Sequence, residues 1–149
     1  MGNLAAEPGS GGSRLNAVYN SELESVDAAE TAVTDMAKAA GFDEDDLHKI
    51  GIALREAMVN AVVHGNQYNA AKKVRMDAWL DNGALHVVIA DEGKGFEVTN
   101  VPDPLAQENL LKESGRGILL MQAFVDEFQV RRLKPNGTEV TMVKYLASR

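Results

Sequence analysis

Two clusters of glycine and polar residues have the composition of ligand-binding loops. In the first, Asp91 follows the apolar run 87–90 and precedes Gly93 and Gly95. A carboxylate at a strand end can accept a hydrogen bond from an exocyclic amine, and the glycines allow the backbone to approach a flat ligand. A plain glycine-rich turn has the same pattern, so this cluster alone does not identify a ligand.

The second cluster, Ser114-Gly115-Arg116-Gly117, directly precedes residues with helical apolar spacing. At the start of a helix the free N–H groups and the positive end of the dipole favour an anion such as phosphate. A hinge ahead of a helix would also be rich in glycine, so both interpretations stay open from this cluster alone.

A third candidate is the pair Glu56 and Asn60, four residues apart. On a helix this spacing brings both side chains to the same side, one turn apart. The pair lies at the edge of the helix's apolar stripe, where the wall of a cleft would be. A solvated polar pair is the simpler interpretation, since such pairs are common on helix surfaces.

The elements that must position these residues follow from periodicity and turn signals. The pattern predicts the order strand, helix, helix, two strands, helix, two strands. Both predicted hairpins imply antiparallel neighbours, and three amphipathic helices can cover one face of the sheet. The sequence therefore predicts an α/β two-layer sandwich with a mixed, largely antiparallel sheet and three helices on one face. The main signals are the helix stops Gly41 and Gly65, the helix N-cap Asp43, and the turns Asn82-Gly83 and Pro135-Asn136-Gly137.

Length and composition restrict the remaining possibilities. The 149 residues fit a single domain, predicted over 14–149 after a flexible, small-residue leader over 1–13. The net charge of −7 disfavours nucleic acid or an anionic membrane as the main partner. Without cysteine the chain has no disulfide and no thiol nucleophile. Lacking a signal peptide or a long apolar run, it is predicted to be cytoplasmic.

Taken in order, the three clusters resemble the motifs of one superfamily. Residues 56–65 look like the N box of the GHKL ATPases, 91–96 like the G1 box, and 114–121 like the G2 box. The short chain, the run Val-Pro-Asp-Pro at 101–104 and the closing Gly-Thr-Glu-Val at 137–140 resemble the bacterial anti-sigma factor serine kinases. The resemblance implies the Bergerat-type ATP-binding fold.

This resemblance also implies roles for individual residues, with ATP and Mg²⁺ as cofactors. Glu56 would be the general base and Asn60 the magnesium ligand. Asp91 would recognise the adenine amino group, and Thr138 would assist through a water. The remaining implied binding residues shape the pocket or contact the phosphates: His64, Gly93, Gly95, Lys112, Gly115, Arg116 and Gly117.

The irregular segment 98–114 corresponds to the family's ATP lid, which would exclude water and favour transfer to serine over hydrolysis. Family members often carry an arginine just before the G2 Ser-Gly, whereas this chain has Lys112-Glu113. The nearest candidate cations for the γ-phosphate are Lys94, Lys112 and Arg116, and the sequence does not choose among them.

The function implied by the resemblance is that of an anti-sigma factor with serine/threonine kinase activity. Such a protein binds a sigma factor, phosphorylates an anti-anti-sigma factor with Mg-ATP, regulates transcription in a stress response and forms a homodimer. Two alternatives remain open. One is a nucleotide-gated binding module with weak or no kinase activity. The other is a free-standing histidine-kinase catalytic domain, which is weakened by the lack of a preceding helix pair with a phospho-accepting histidine.

Overall fold

A computed structural model describes residues 5–7, 12–93 and 117–146 of the chain. Within these ranges the chain forms strands and helices in the predicted order, preceded by one additional strand. The elements are β1 (Ala5–Glu7), β2 (Gly12–Asn20), α1 (Leu23–Ala40), α2 (Glu44–Val59), a π-helical segment (Asn60–Gly65), β3 (Lys73–Asp81), β4 (Ala84–Ala90), α3 (Gly117–Phe124), β5 (Glu127–Arg132) and β6 (Thr138–Tyr145).

The strands form one sheet in the order β1-β2-β3-β4-β6-β5. Every pairing between described strands is antiparallel, a sharper result than the mixed, largely antiparallel sheet predicted. β2 and β3 are antiparallel although two helices separate them, because a pair of helices returns the chain to the end of the sheet where β2 stopped. The strand β1 pairs with the start of β2 in a stretch where the sequence showed no alternation and predicted no strand.

The helices cover one face of the sheet, which confirms the predicted two-layer α/β sandwich. Alternate residues of the central strands, such as Met76, Val87 and Ile89, join the buried residues of all three helices in one apolar core. Their spacing of two is what places them on a single face. No helix in the described ranges is both long enough and apolar enough to cross a membrane.

The first two helices end and begin where their capping residues predict. Gly41 adopts a left-handed conformation (φ 105°), and its N–H donates to the carbonyl of Lys38 at 3.1 Å. The Asp43 carboxylate then accepts a hydrogen bond from the Asp46 N–H at 2.9 Å, which caps α2. These two caps fix the turn between the helices and therefore the direction in which α2 crosses the sheet.

The glycine within α2 lies where this helix packs closely against α1. A β-carbon on Gly51 would lie 3.1 Å from Glu30 Oε2. One turn further along, the Arg55 guanidinium donates to Glu30 at 2.5 Å and to Asp27 at 2.9 Å. Because these charges are largely exposed, we expect the ion pairs to add little stability and the close approach to matter more.

The core contribution of α2 can be tested at Leu54, whose exposed fraction is 1%. Leu54→Ala is expected to lower the free energy of unfolding by about 2–5 kcal/mol, because it removes buried methyl groups and leaves a cavity. Urea denaturation measures the change. The matched control Leu23→Ala, at a position 52% exposed, should change it by no more than about 0.5 kcal/mol. Equal losses in the two variants would contradict this description of the core.

Candidate functional site

The carboxylate of Asp91 is the most deeply buried acidic group among the described residues, with 7% of the residue exposed. It follows the last residue of β4, at the point where β6 begins. Its Oδ1 accepts hydrogen bonds from the N–H of Gly93 at 3.0 Å and the N–H of Thr138 at 3.2 Å. The Asp91 N–H donates to the Thr138 carbonyl at 3.0 Å. The end of β4 and the start of β6 are thereby held together around one carboxylate.

The two oxygens of this carboxylate have different environments. While Oδ1 accepts two backbone hydrogen bonds, no described residue donates to Oδ2. Burial raises the pKa of Asp91 above its ordinary value, and the two N–H groups, with the charges of Arg132 and Lys72, oppose this shift only in part. Among the described residues Oδ2 therefore has no donor, and it can accept a hydrogen bond from a ligand that carries an N–H group.

Two glycines pack closely against Asp91, and a third packs against the backbone of one of them. A β-carbon on Gly65 would overlap the Asp91 carboxylate, and one on Gly137 would overlap its carbonyl oxygen. A β-carbon on Gly93 would overlap the Gly65 carbonyl. The sequence pattern treated Gly65 as a helix stop and Gly137 as a turn residue. In the structure both are also walls of the Asp91 site, and Gly93 packs against backbone.

The Glu56–Asn60 pair faces the start of α3 rather than open solvent. Both residues are partly buried, and a β-carbon on Gly117 would lie 2.7 Å from Glu56 Oε1 and 3.5 Å from Asn60 Nδ2. The structure therefore brings together one carboxylate, one amide and the first residue of a helix from three of the predicted site positions. A fully solvated polar pair, the simpler interpretation of the spacing, does not describe this arrangement.

From Asn60 onward, α2 changes to a π-helical segment, where the sequence predicted a continuous α-helix to residue 65. The N–H of Asn66 donates to the carbonyl of Ala61, five residues earlier, at 2.8 Å. Apolar periodicity carries little signal for such a local change, because the same side chains stay on the buried side. π-helical turns inside α-helices occur frequently at functional sites.

Between α2, the π-helical segment, the sheet and α3 lies one pocket that contains several of the predicted residues. Its walls are mostly apolar, and its polar groups come from Asn60, His64, Asp91 and Thr138. Such a combination is typical of sites for small molecules. The full lining is Ala57, Asn60, Ala61, His64, Gly65, Ile89, Asp91, Ile118, Val130, Thr138 and Val140.

Not every predicted residue can be placed. Those outside the described residues are Lys94, Gly95, Lys112, Gly115 and Arg116, together with the predicted lid over 98–114. The described residues contain no group of three or more His, Asp or Glu side chains that could hold a metal ion. A magnesium ion at Asn60 would therefore take its other ligands from phosphate, from water or from outside this set, which is usual for this ion.

One buried residue in this region had no signal in the sequence analysis. Asn66 directly follows the π-helical segment, is 1% exposed and accepts a hydrogen bond from the Glu92 N–H beside Asp91. Asparagine is common in loops, so its type and position alone do not indicate a buried role.

Comparison with known proteins shows the class to which this fold belongs. A family model described as the histidine kinase-like ATPase domain matches residues 19–144, and the chain belongs to this family. The RsbU and RsbW domains of Rv1364c from Mycobacterium tuberculosis have a similar fold, with a TM-score of 0.67 and 18% sequence identity. That match covers 91% of this chain and 33% of the solved chain.

Within this class the similarity extends to particular relatives. The anti-sigma F factor of Thermoanaerobacter sp. (strain X514) is 32% identical over 136 residues, which cover 90% of this chain and 93% of that protein. The anti-sigma F factor of Bacillus thuringiensis (strain Al Hakam) is 32% identical over 106 residues, 70% of this chain and 73% of that protein. The resemblance to bacterial anti-sigma factors seen in the motifs is confirmed.

The buried charge of Asp91 gives a testable pH dependence. A pKa raised in the folded state stabilises the fold only in acid, and this contribution is lost as the pH rises from the unfolded to the folded pKa. Asp91→Asn avoids that loss and keeps an oxygen for the two N–H groups. Relative to the wild type, the variant is expected to gain stability as the pH rises from below about 3.9 to neutrality.

Thermal denaturation across this pH range measures the difference between the two proteins. As a control, Asp35→Asn removes a carboxylate from the outer part of α1 and should show no comparable gain. A difference between Asp91→Asn and the wild type that is constant with pH, or that shrinks as the pH rises, would contradict the raised pKa.

Proposed function

We propose that the pocket binds ATP with its adenine base against Asp91. The supporting observation is the buried residue Asp91, which lines a mostly apolar pocket and whose Oδ2 accepts no hydrogen bond from the described residues. An exocyclic amine would supply the missing donor, and the aliphatic walls suit the faces of a planar base. The family's description as an ATPase domain supports the same ligand.

The phosphates would then extend toward Asn60 and the start of α3. The Asn60 amide oxygen is a hard donor suited to Mg²⁺, and the N–H groups at a helix start favour anions. Bound magnesium would neutralise part of the triphosphate charge, which an acidic chain with net charge −7 requires. The close approach of Gly117 to Asn60 supports this arrangement.

We assign Glu56 as the general base of a serine/threonine kinase reaction. Its carboxylate would accept the proton of the substrate hydroxyl while that oxygen bonds to the γ-phosphorus. The bond from the γ-phosphorus to its bridging oxygen breaks, and ADP leaves with the electron pair. Glu56 lies one helical turn from Asn60 and close to Gly117, so the proposed general base is next to the proposed phosphate contacts.

The partners we propose are a sigma factor, which the protein would bind and silence, and an anti-anti-sigma factor, which it would phosphorylate on serine or threonine. The support is the 32% identity to proteins named anti-sigma F factor over 90% of this chain. We propose a cytoplasmic homodimer acting in stress-dependent transcription, with no direct contact to nucleic acid or membrane.

The kinase assignment is tested by Glu56→Gln, which keeps the size of the side chain and removes its basicity. We expect phosphate transfer from labelled Mg-ATP to the cognate antagonist to fall by about 10²–10⁴-fold, the usual contribution of general base catalysis. Binding of Mg-ATP, measured by calorimetry, should stay close to that of the wild type.

A matched control for this experiment is Glu24→Gln, which removes a carboxylate from the exposed first turn of α1. Its transfer rate should equal that of the wild type. If Glu56→Gln retains full transfer activity, Glu56 is not the base. If the variant also loses nucleotide binding, Glu56 contributes to binding Mg-ATP and the assignment as general base is contradicted.

The proposed partners are tested by co-purification from the native cell followed by mass spectrometry. We expect one sigma factor and one small antagonist protein, and the antagonist should carry phosphate after incubation with Mg-ATP. Recovery of a different regulator, without turnover on any co-purified protein, would contradict this proposal. That result would favour a nucleotide-gated binding module instead.

A further inference from the structure

Asn66 is among the largest fully buried side chains of the protein, and the only polar one in that group of described residues. A buried amide is costly unless its donors and acceptor are satisfied. Here all of them are used. The Nδ2 group donates to Ser21 Oγ at 2.9 Å and to the Lys73 carbonyl at 3.0 Å, and Oδ1 accepts from the Glu92 N–H at 2.8 Å.

These partners belong to segments that are distant in sequence. Ser21 follows β2, Lys73 begins β3, and Glu92 follows Asp91 after β4. The Asn66 backbone contributes as well, because its N–H closes the π-helical segment on Ala61. One side chain therefore connects the π-helical segment with the ends of three strands.

The contact with Glu92 bears directly on Asp91. The Glu92 N–H belongs to the peptide group that joins Asp91 to Glu92, so Asn66 Oδ1 restricts rotation of that peptide. The Lys73 N–H also donates to the Glu92 carboxylate at 3.2 Å, which holds the same residue from the strand side. On the other side of Asn66, Gly65 packs against the Asp91 carboxylate. Asn66 thus restrains the peptide group that follows Asp91, and Gly65 packs against the Asp91 carboxylate.

We infer that Asn66 is a positioning residue that orients the Asp91 carboxylate and thereby sets a preference for adenine over guanine. This inference rests on the proposed function, in which Asp91 Oδ2 accepts a hydrogen bond from the base. Adenine presents an amine at the position where guanine presents a carbonyl oxygen. A fixed carboxylate therefore favours adenine, whereas a carboxylate free to rotate away loses that distinction.

The test is the ratio of the dissociation constants for Mg-GTP and Mg-ATP, measured by calorimetry on the full chain. Asn66→Ala removes the acceptor for the Glu92 N–H and is expected to lower this ratio by about tenfold, the value of one hydrogen bond to a charged group. A purely structural role would weaken both nucleotides equally and leave the ratio unchanged. If Asn66→Ala does not fold, Asn66→Ser replaces it, since serine also lacks an atom at the Oδ1 position.

Asn66→Asp distinguishes the contribution of the amide oxygen from that of the amide nitrogen. It keeps an oxygen for the Glu92 N–H and loses the donors to Ser21 and to Lys73. We expect a ratio close to that of the wild type despite lower thermal stability. A ratio as low as that of Asn66→Ala would overturn the proposal that the hydrogen bond from the Glu92 N–H to Asn66 Oδ1 positions Asp91.

Ser25→Ala is the matched control for lost buried hydrogen bonding. Its hydroxyl donates to the Asn20 carbonyl at 2.7 Å, its exposed fraction is 7%, and its substitution should lower stability without changing the ratio. Adding Asn66→Ala to Asp91→Asn should cause no further change in the ratio, because the group that Asn66 positions is already altered.

The outcomes separate the two proposals. If the wild type shows no preference for ATP, or if Asp91→Asn keeps it, the proposed function fails at Asp91. If Asp91→Asn loses the preference while Asn66→Ala keeps it, only the positioning role of Asn66 is overturned.

Discussion

The burial of one carboxylate, that of Asp91, is the constraint on which the site depends. A charged group that is 7% exposed must be compensated, and two backbone N–H groups supply this at Oδ1. Those donors come from Gly93 and Thr138, so the carboxylate joins the end of β4 to the start of β6. The compensation is incomplete, as the raised pKa shows. The uncompensated desolvation of the ionised carboxylate lowers the stability of the folded protein, which is common at ligand-binding sites.

This constraint accounts for several residues that otherwise have no common reason. Glycine is needed at 65 and 137 because any β-carbon would overlap Asp91, and at 93 because the backbone of Gly65 already occupies the space. Asn66 satisfies the neighbouring peptide from within the core. The π-helical segment delivers Gly65 and Asn66 to these positions while Asn60, at its start, stays near α3. One continuous segment, residues 56–66, therefore contributes to both the proposed adenine site and the proposed phosphate site.

Much of this fold was predictable because its signals are local. The caps at Gly41 and Asp43, the Asn82-Gly83 turn and the alternation in the strands each act within a few residues, and the elements form where they predict. The site was predictable only in part. The motif spacing predicted Glu56, Asn60 and Asp91. In the structure Asn60 and Asp91 line one pocket, and Glu56 lies one helical turn from Asn60 and close to Gly117, while their roles stay a prediction. The pairing of β1, the π-helical segment, the Gly65–Gly93 contact and the role of Asn66 depend on residues that meet only after the chain has folded, so no local pattern indicates them.

A crystal structure of the protein with magnesium and a non-hydrolysable ATP analogue would test the assignment of the pocket most directly. We expect the adenine amino group within about 3.2 Å of Asp91 Oδ2, in the usual range for a hydrogen bond. The Asn60 amide oxygen should lie about 2.0–2.1 Å from the magnesium ion. A base bound elsewhere, or one whose amino group points away from Asp91, would contradict the central role given to this carboxylate.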